Sequence, residues 1–315
     1  MTHRPLKLGT RRSPLAMAQA EEARDRLLAA HPGLDVEIVP VTASGDRVKG
    51  SLADAGGKAL WTKELDAWLL AGTIDFAVHS AKDVETIRPE GIAIAAVLPR
   101  EDVRDVLVLR HAENERIVAS LADLPPGARI GTSAPRRAAL ALHARPDCRV
   151  VTFRGNIQTR LAKLAAGEAD ATLLALAGLN RTGQSAVGTP LDPESWIPAP
   201  GQGCIAIECR ADDAETLAAL AAIDDRVSNE ALHAERRFLA ALGGNCHSPV
   251  AAITAREGDT IALRAALFSP DGQERVDGEL RFAADDADGP AALAADLLAR
   301  AAPAIAEHFA GPQGD

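Results

Sequence analysis

Short apolar runs alternate with helix-patterned stretches twice in succession along the first two-thirds of the chain, and no other feature narrows the fold as far. Leu6–Thr10 reads as a strand, and Ser13 is placed to N-cap a helix running to about Ala30. Pro14 suits the first helical position, where an N–H would have no partner anyway. Asp35–Val41 is the next strand and about Ala59–Ala71 the next helix. Ile74–Val78 is a short buried strand leading directly into H-S-A-K-D-V (79–84), and Ile92–Leu98 closes the segment. A second series has strands at Asp105–Leu109, Arg129–Gly131, Arg149–Thr152 and Ala171–Leu176, with helices from Ala134 and Asn156. A βαβ rhythm predicts mostly parallel sheets, with ligands held beyond the carboxyl ends of the strands.

Pro198–Gly203 reads as a turn or linker, followed by a strand at Cys204–Cys209 suited to rejoin the first sheet. From about Asp225 the pattern changes to a long helix, a G-G-N-C-H-S-P loop, and strand-like runs at Val250–Thr254, Ile261–Phe268 and Glu274–Phe282. A helix at about Ala291–His308 ends this region, which reads as a separate α+β domain.

Charge supplies the first functional constraint. Seven arginines fall between Arg136 and Arg181 in a chain whose net charge is -10. Arg136, Arg137, Arg154, Arg160 and Arg181 stand in Gly- or Ser-punctuated motifs that read as turns or first helical turns. Backbone N–H groups and the positive helix end favour anions there. The guanidinium adds a planar fork that grips a carboxylate or phosphate with two hydrogen bonds. The expected ligand is small and strongly anionic. The acidic total argues against general nucleic-acid binding, which needs a broadly basic surface. No run approaches about 18 apolar residues and no apolar leader opens the chain, so a cytoplasmic protein is expected, with no membrane partner. The four cysteines form no C-x-x-C pair and no histidine cluster has ligand spacing, so no metal site and no redox dithiol is expected.

Four constellations carry chemistry. Lys82 and Asp83 follow a buried strand, where the bland role is a helix cap beside a surface lysine. The functional role is a carboxylate that stabilises a developing cation and moves protons on a substrate nitrogen. Arg11, Arg12 and Ser13 offer an anion site at a strand-to-helix turn, or simply a cap and a solvated arginine. Lys58 sits in a glycine-rich stretch that is not a P-loop, since G-x-x-x-x-G-K-[ST] is absent. Cys246 lies in a loop that permits close approach to a ligand, whereas Cys148, Cys204 and Cys209 suit ordinary structural positions.

These segments, in order, resemble the porphobilinogen deaminase family: T-R-R-S-P-L-A, G-G-K-A-L-W-T-K-E-L, H-S-A-K-D-V, R-E-D-V-R-D, G-T-S-A-P-R-R, R-G-N-I-Q-T-R-L-A-K-L, A-L-A-G-L-N-R, P-A-P-G-Q-G and G-N-C-H-S-P. The resemblance covers nearly the whole chain. It implies an α/β fold with two type II periplasmic-binding-protein-like domains facing a cleft and a smaller C-terminal α+β domain. The boundaries implied are 1–100 with 200–222, then 101–199, then 223–315. It further implies a dipyrromethane cofactor attached through Cys246, Asp83 as the catalytic aspartate, and Lys82 beside it contacting the cofactor. Arg11, Ser13, Thr132 and Ser133 would bind cofactor or substrate carboxylates by motif position, and so would Arg136, Arg137, Arg154, Arg160 and Arg181. The reaction implied joins four porphobilinogen molecules with loss of ammonia and releases a linear tetrapyrrole by hydrolysis, in a monomer. Asn245 before the cysteine, His247 and Ser248 after it, and Ala59 and Trp61 in the glycine-rich stretch depart from the commonest pattern.

Rival readings are a non-catalytic binding protein for a dicarboxylate or oxyanion, a phosphate-ester enzyme, and a Cys–His protease. The first would make no use of Cys246. The second lacks a P-loop or metal cluster, and the third lacks a separate His/Asn motif.

Overall fold

A computed structural model describes residues 4–41, 59–110, 120–243 and 248–309, with side chains from 62 onward in the second stretch. Lys58, Asn245, Cys246 and His247 lie outside the described residues, as do the side chains of Ala59 and Trp61. The chain divides into two compact units, Met1–Glu101 with Gly201–Leu232, and Asp102–Pro200 with His233–Asp315.

In the first unit, β1 (Leu6–Arg11), β2 (Val36–Val41) and β3 (Phe76–Ser80) are parallel, in the order β2-β1-β3. The returning strand β10 (Ile205–Arg210) pairs antiparallel with β3 and with β4 (Ile92–Val97), completing a five-stranded sheet. Pro40 is tolerated because β2 is an edge strand, where a missing ladder donor costs little. Helix α1 (Pro14–Ala30) packs Ala20, Ala23 and Leu27 on one face with Leu8, Phe76 and Ile207. Helix α2 (Ala59–Leu70) covers the other face with Leu65 and Leu69. Alternate residues of each strand therefore feed opposite cores, as a pleat requires.

The second unit repeats this order. Strands β6 (Arg129–Gly131), β7 (Arg149–Val151) and β8 (Ala171–Ala175) are parallel as β7-β6-β8. The entering strand β5 (Asp105–Leu109) is antiparallel to β8 and to β9 (Thr189–Pro190). Leu107 and Leu173 face a core that includes Ala139 and Leu140 of helix α3 (Pro135–Ala144). Val106 and Leu174 face another, with Leu164 of helix α4 (Ile157–Ala165) and Leu179 of helix α5 (Leu176–Arg181). The sheets are thus mixed, because the strand carrying the chain into or back to each unit runs against the other four.

Helix α6 (Ala214–Ala221) in the first unit has no counterpart in the sequence reading. Helix α7 (Arg226–Leu242) contributes Ala234, Phe238 and Leu242 to the core of an antiparallel sheet of β11 (Val250–Glu257), β12 (Thr260–Phe268) and β13 (Arg275–Ala283). The opposite face of this sheet sends Ala251, Ala266 and Phe268 against α3. The expected closing helix is two pieces, α8 (Gly289–Arg300) and α9 (Pro303–Ala306). Ala302 precedes Pro303 and is held extended at ψ 153, which stops the helix there.

Candidate functional site

In each unit the three parallel strands end at one edge, and the motif residues follow those ends. Arg11 ends β1 in the first unit. Ser13 caps α1 by accepting from the Ala16 N–H at 3.3 Å, and Arg12 between them is exposed. β3 runs into a single 3₁₀ turn, Ala81–Asp83, on which Lys82 and Asp83 are half-buried. Ser80 provides no cap; its hydroxyl bonds the Gln19 amide of α1 at 2.9 Å instead.

The segment read as a linker is part of this edge. Lys82 Nζ donates to Gln202 Oε1 at 3.3 Å, and Arg100 Nε donates to the Gln202 carbonyl at 2.8 Å. Gly201 has φ +72°, and a Cβ there would lie 3.2 Å from the Lys82 backbone nitrogen. Gly203 has φ +87°, and a Cβ would meet the Glu101 carbonyl at 2.3 Å. Two glycines bracketing a buried glutamine were the available signal for this contact.

A buried ionic group lies behind the turn, on β3, β10 and α2. Arg88 donates to Glu208 at 2.7 and 3.0 Å and also pairs with Asp66. His79 Nε2 comes within 3.3 Å of Glu208 Oε2 without forming a hydrogen bond. Burial, aided by the nearby Arg88 charge, holds His79 down at about 4, so this is a contact of a neutral ring and not a charge pair. Burial outweighs pairing with Arg88 at Asp66 and lifts its carboxyl above the ordinary range. The depressed histidine has a stability consequence. An unfolded His79 takes up a proton near pH 6.5 and the folded one does not until about 4, so stability from this group is present above pH 6.5 and is lost as pH falls through that window. The expected loss is on the order of 3 kcal/mol from this residue. Urea unfolding from pH 7 to 4.5 should show a slope that His79→Asn flattens; an unchanged slope would contradict the assignment.

In the second unit, Thr132 and Ser133 follow β6, and the Thr132 hydroxyl accepts from the Ala134 N–H at 3.1 Å. Arg136 and Arg137 do stand in the first turn of α3, but both are buried and both bind Asp105, each through Nη2 at 2.7 Å. Arg154 and Gly155 follow β7, and Asn156 caps α4 by accepting from the Thr159 N–H at 2.9 Å. Arg160 Nε donates to the Gly155 carbonyl at 3.0 Å. Arg181 is in the last turn of α5 rather than a first turn, so the positive end of a helix is not what recommends it. Arg11, Ser13, Lys82 and Asp83 thus share an edge of the first unit, and Thr132, Ser133, Arg154 and Arg160 an edge of the second. Cys246 lies outside the described residues, between α7 and β11, which share one core. Cys148, Cys204 and Cys209 are buried. Among the described residues, no cluster of three or more His, Cys, Asp or Glu side chains is arranged to hold a metal, and no helix is long and apolar enough to cross a membrane.

Residues 6–218 match the family model for "Porphobilinogen deaminase, dipyromethane cofactor binding domain", and residues 230–300 match "Porphobilinogen deaminase, C-terminal domain". The chain belongs to the porphobilinogen deaminase family. It is 55% identical over 312 residues to the porphobilinogen deaminase of Sphingopyxis alaskensis, covering 97% of each chain. The enzyme of Nitrobacter winogradskyi is 49% identical over 312 residues, 96% of each chain. That of Paracoccus denitrificans is 48% identical over 303 residues, 94% of this chain and 95% of its own. A dipyrromethane carries acetate and propionate groups on two pyrrole rings. The hydroxyls of Thr132 and Ser133 and the guanidiniums of Arg154, Arg160 and Arg181 are hydrogen-bond donors suited to carboxylates, so the donor set of the second unit fits the family's cofactor.

Proposed function

We propose that this family member, a transferase of tetrapyrrole biosynthesis, condenses porphobilinogen on a dipyrromethane linked to Cys246, with Asp83 as the catalytic residue. The supporting observation is the delivery of Lys82 and Asp83 by one turn at the end of β3, on the edge that also carries Arg11 and Ser13. Hydroxymethylbilane is the proposed product, formed by four condensations and a hydrolysis.

When bound, the cofactor would supply the nucleophilic pyrrole carbon to which the first new ring is joined, each later ring joining the one before it. The chain's own residues do the rest. Asp83 accepts a hydrogen bond from a pyrrole N–H and stabilises the positive charge that develops as ammonia leaves the aminomethyl arm. It also takes the proton lost from the newly bonded carbon. Arg11, Ser13 and Lys82 bind carboxylates in the first unit, with Lys82 held by Gln202. Thr132, Ser133, Arg136, Arg137, Arg154, Arg160 and Arg181 do so in the second. Every ring brings two carboxylates, so a lengthening chain needs guanidinium groups on several segments. The enzyme is proposed to work as a cytoplasmic monomer, without nucleic acid or membrane.

Intact-protein mass spectrometry tests the attachment. The chain is expected to exceed its sequence mass by two pyrrole units, with the addition on the Cys246 peptide. An active chain of unmodified mass would refute the covalent cofactor.

A further inference from the structure

Asp105 closes the R-E-D-V-R-D segment, where the sequence reading gives it no role, yet it organises two of the proposed binding arginines. Its carboxylate is fully buried, and its two oxygens are divided between them, Oδ1 to Arg137 and Oδ2 to Arg136, each at 2.7 Å. Trp196 Nε1 donates to Oδ2 at 2.8 Å. Each arginine is also tied to a backbone carbonyl, Arg136 to Ile197 at 2.9 Å and Arg137 to Leu173 at 2.8 Å. The flanking guanidiniums hold the Asp105 carboxyl far below the usual carboxylate range despite its burial.

The charges do not cancel. Two guanidiniums share one carboxylate, so the trio carries one positive charge in excess while its arginine side chains are only 6% exposed. Both Nε–H groups are buried without a hydrogen-bond partner among the described residues. An excess cation with spare donors in a dry setting calls for a further anion. Two like charges also do not remain side by side without the group that clamps them.

We infer that Asp105 is a positioning residue for cofactor binding: it clamps Arg136 and Arg137 together with one uncompensated positive charge that a cofactor carboxylate completes. This rests on the reading that these arginines bind the cofactor. Asp105→Asn keeps the shape but removes the clamp's charge. The fraction of purified chains carrying the two-pyrrole adduct, read by intact mass, is expected to fall at least tenfold. Leu124→Ala, a core truncation in the same unit, supplies a control with a lowered melting temperature and is expected to keep its adduct. Should Asp105→Asn not fold, Trp196→Phe removes one hydrogen bond to the same carboxylate and is expected to load several-fold less than Leu124→Ala. Full loading of Asp105→Asn, or of a folded Trp196→Phe, overturns the inference, as does equal loss of adduct in Leu124→Ala. A wild-type chain without any adduct would instead remove the cofactor reading itself.

Discussion

Asp83→Ala is expected to fold, to retain its adduct on Cys246, and to lose porphobilinogen turnover by a factor of about 10³ or more. Two roles are removed together. A positioned carboxylate that moves a proton is worth about 10²–10⁴ in rate, and electrostatic stabilisation of a charge that exists only in the transition state adds to it. The loss should appear in kcat, since the binding guanidiniums stay in place. Folding should survive because Asp83 is half-buried at the end of a single 3₁₀ turn, and its neighbours Ala81 and Val84 supply the buried contacts. Asp83→Asn keeps a hydrogen-bond acceptor and loses both the charge and the proton site, so it distinguishes these two roles together from simple hydrogen-bonded positioning of the ring. Circular dichroism, intact mass and porphobilinogen consumption measured on the same preparations decide the matter. A folded, loaded Asp83→Ala chain with near-normal turnover would end the assignment.

Most of the elements were legible in the sequence because their signals are local. Ser13 and Pro14 mark the start of α1, and the apolar run into His79 marks a buried strand, without reference to any distant residue. The return of β10 to the first sheet was legible as well. Its antiparallel direction was not, since a strand's composition does not encode the direction of its neighbours. The site divides along the same line. Lys82, Asp83 and the arginines stand in contiguous motifs, whereas what positions them is remote. Asp105 meets Arg136 across 31 residues and Trp196 across 91. Gln202 meets Lys82 across 120. An acidic residue beginning a strand, as Asp105 does, looks like a boundary residue until the fold brings two arginines to it.

Arg88→Met should cost about 3–5 kcal/mol of stability, the range for breaking a buried ion pair from one side. Arg88 is the cation shared by Glu208, which is fully buried, and Asp66. Removing it leaves two carboxylates together in a dry region of the first unit, with a neutral His79 unable to replace the charge. Methionine preserves much of the apolar stem, so the loss reports the missing charge more than a cavity. Two controls distinguish this from a packing defect. Asp66 is already lifted above its ordinary range and can take up a proton, so the loss should be smaller at pH 5 than at pH 8. Adding Glu208→Gln should recover part of the stability by removing one orphaned charge. Urea unfolding of the three chains at both pH values supplies the comparison. A loss under about 1 kcal/mol at both would mean that water, not Arg88, satisfies those carboxylates. Because Glu208 pairs with Ala77 in the strand that leads to Lys82 and Asp83, a destabilised Arg88→Met should also lower turnover, through the position of that turn rather than through its chemistry.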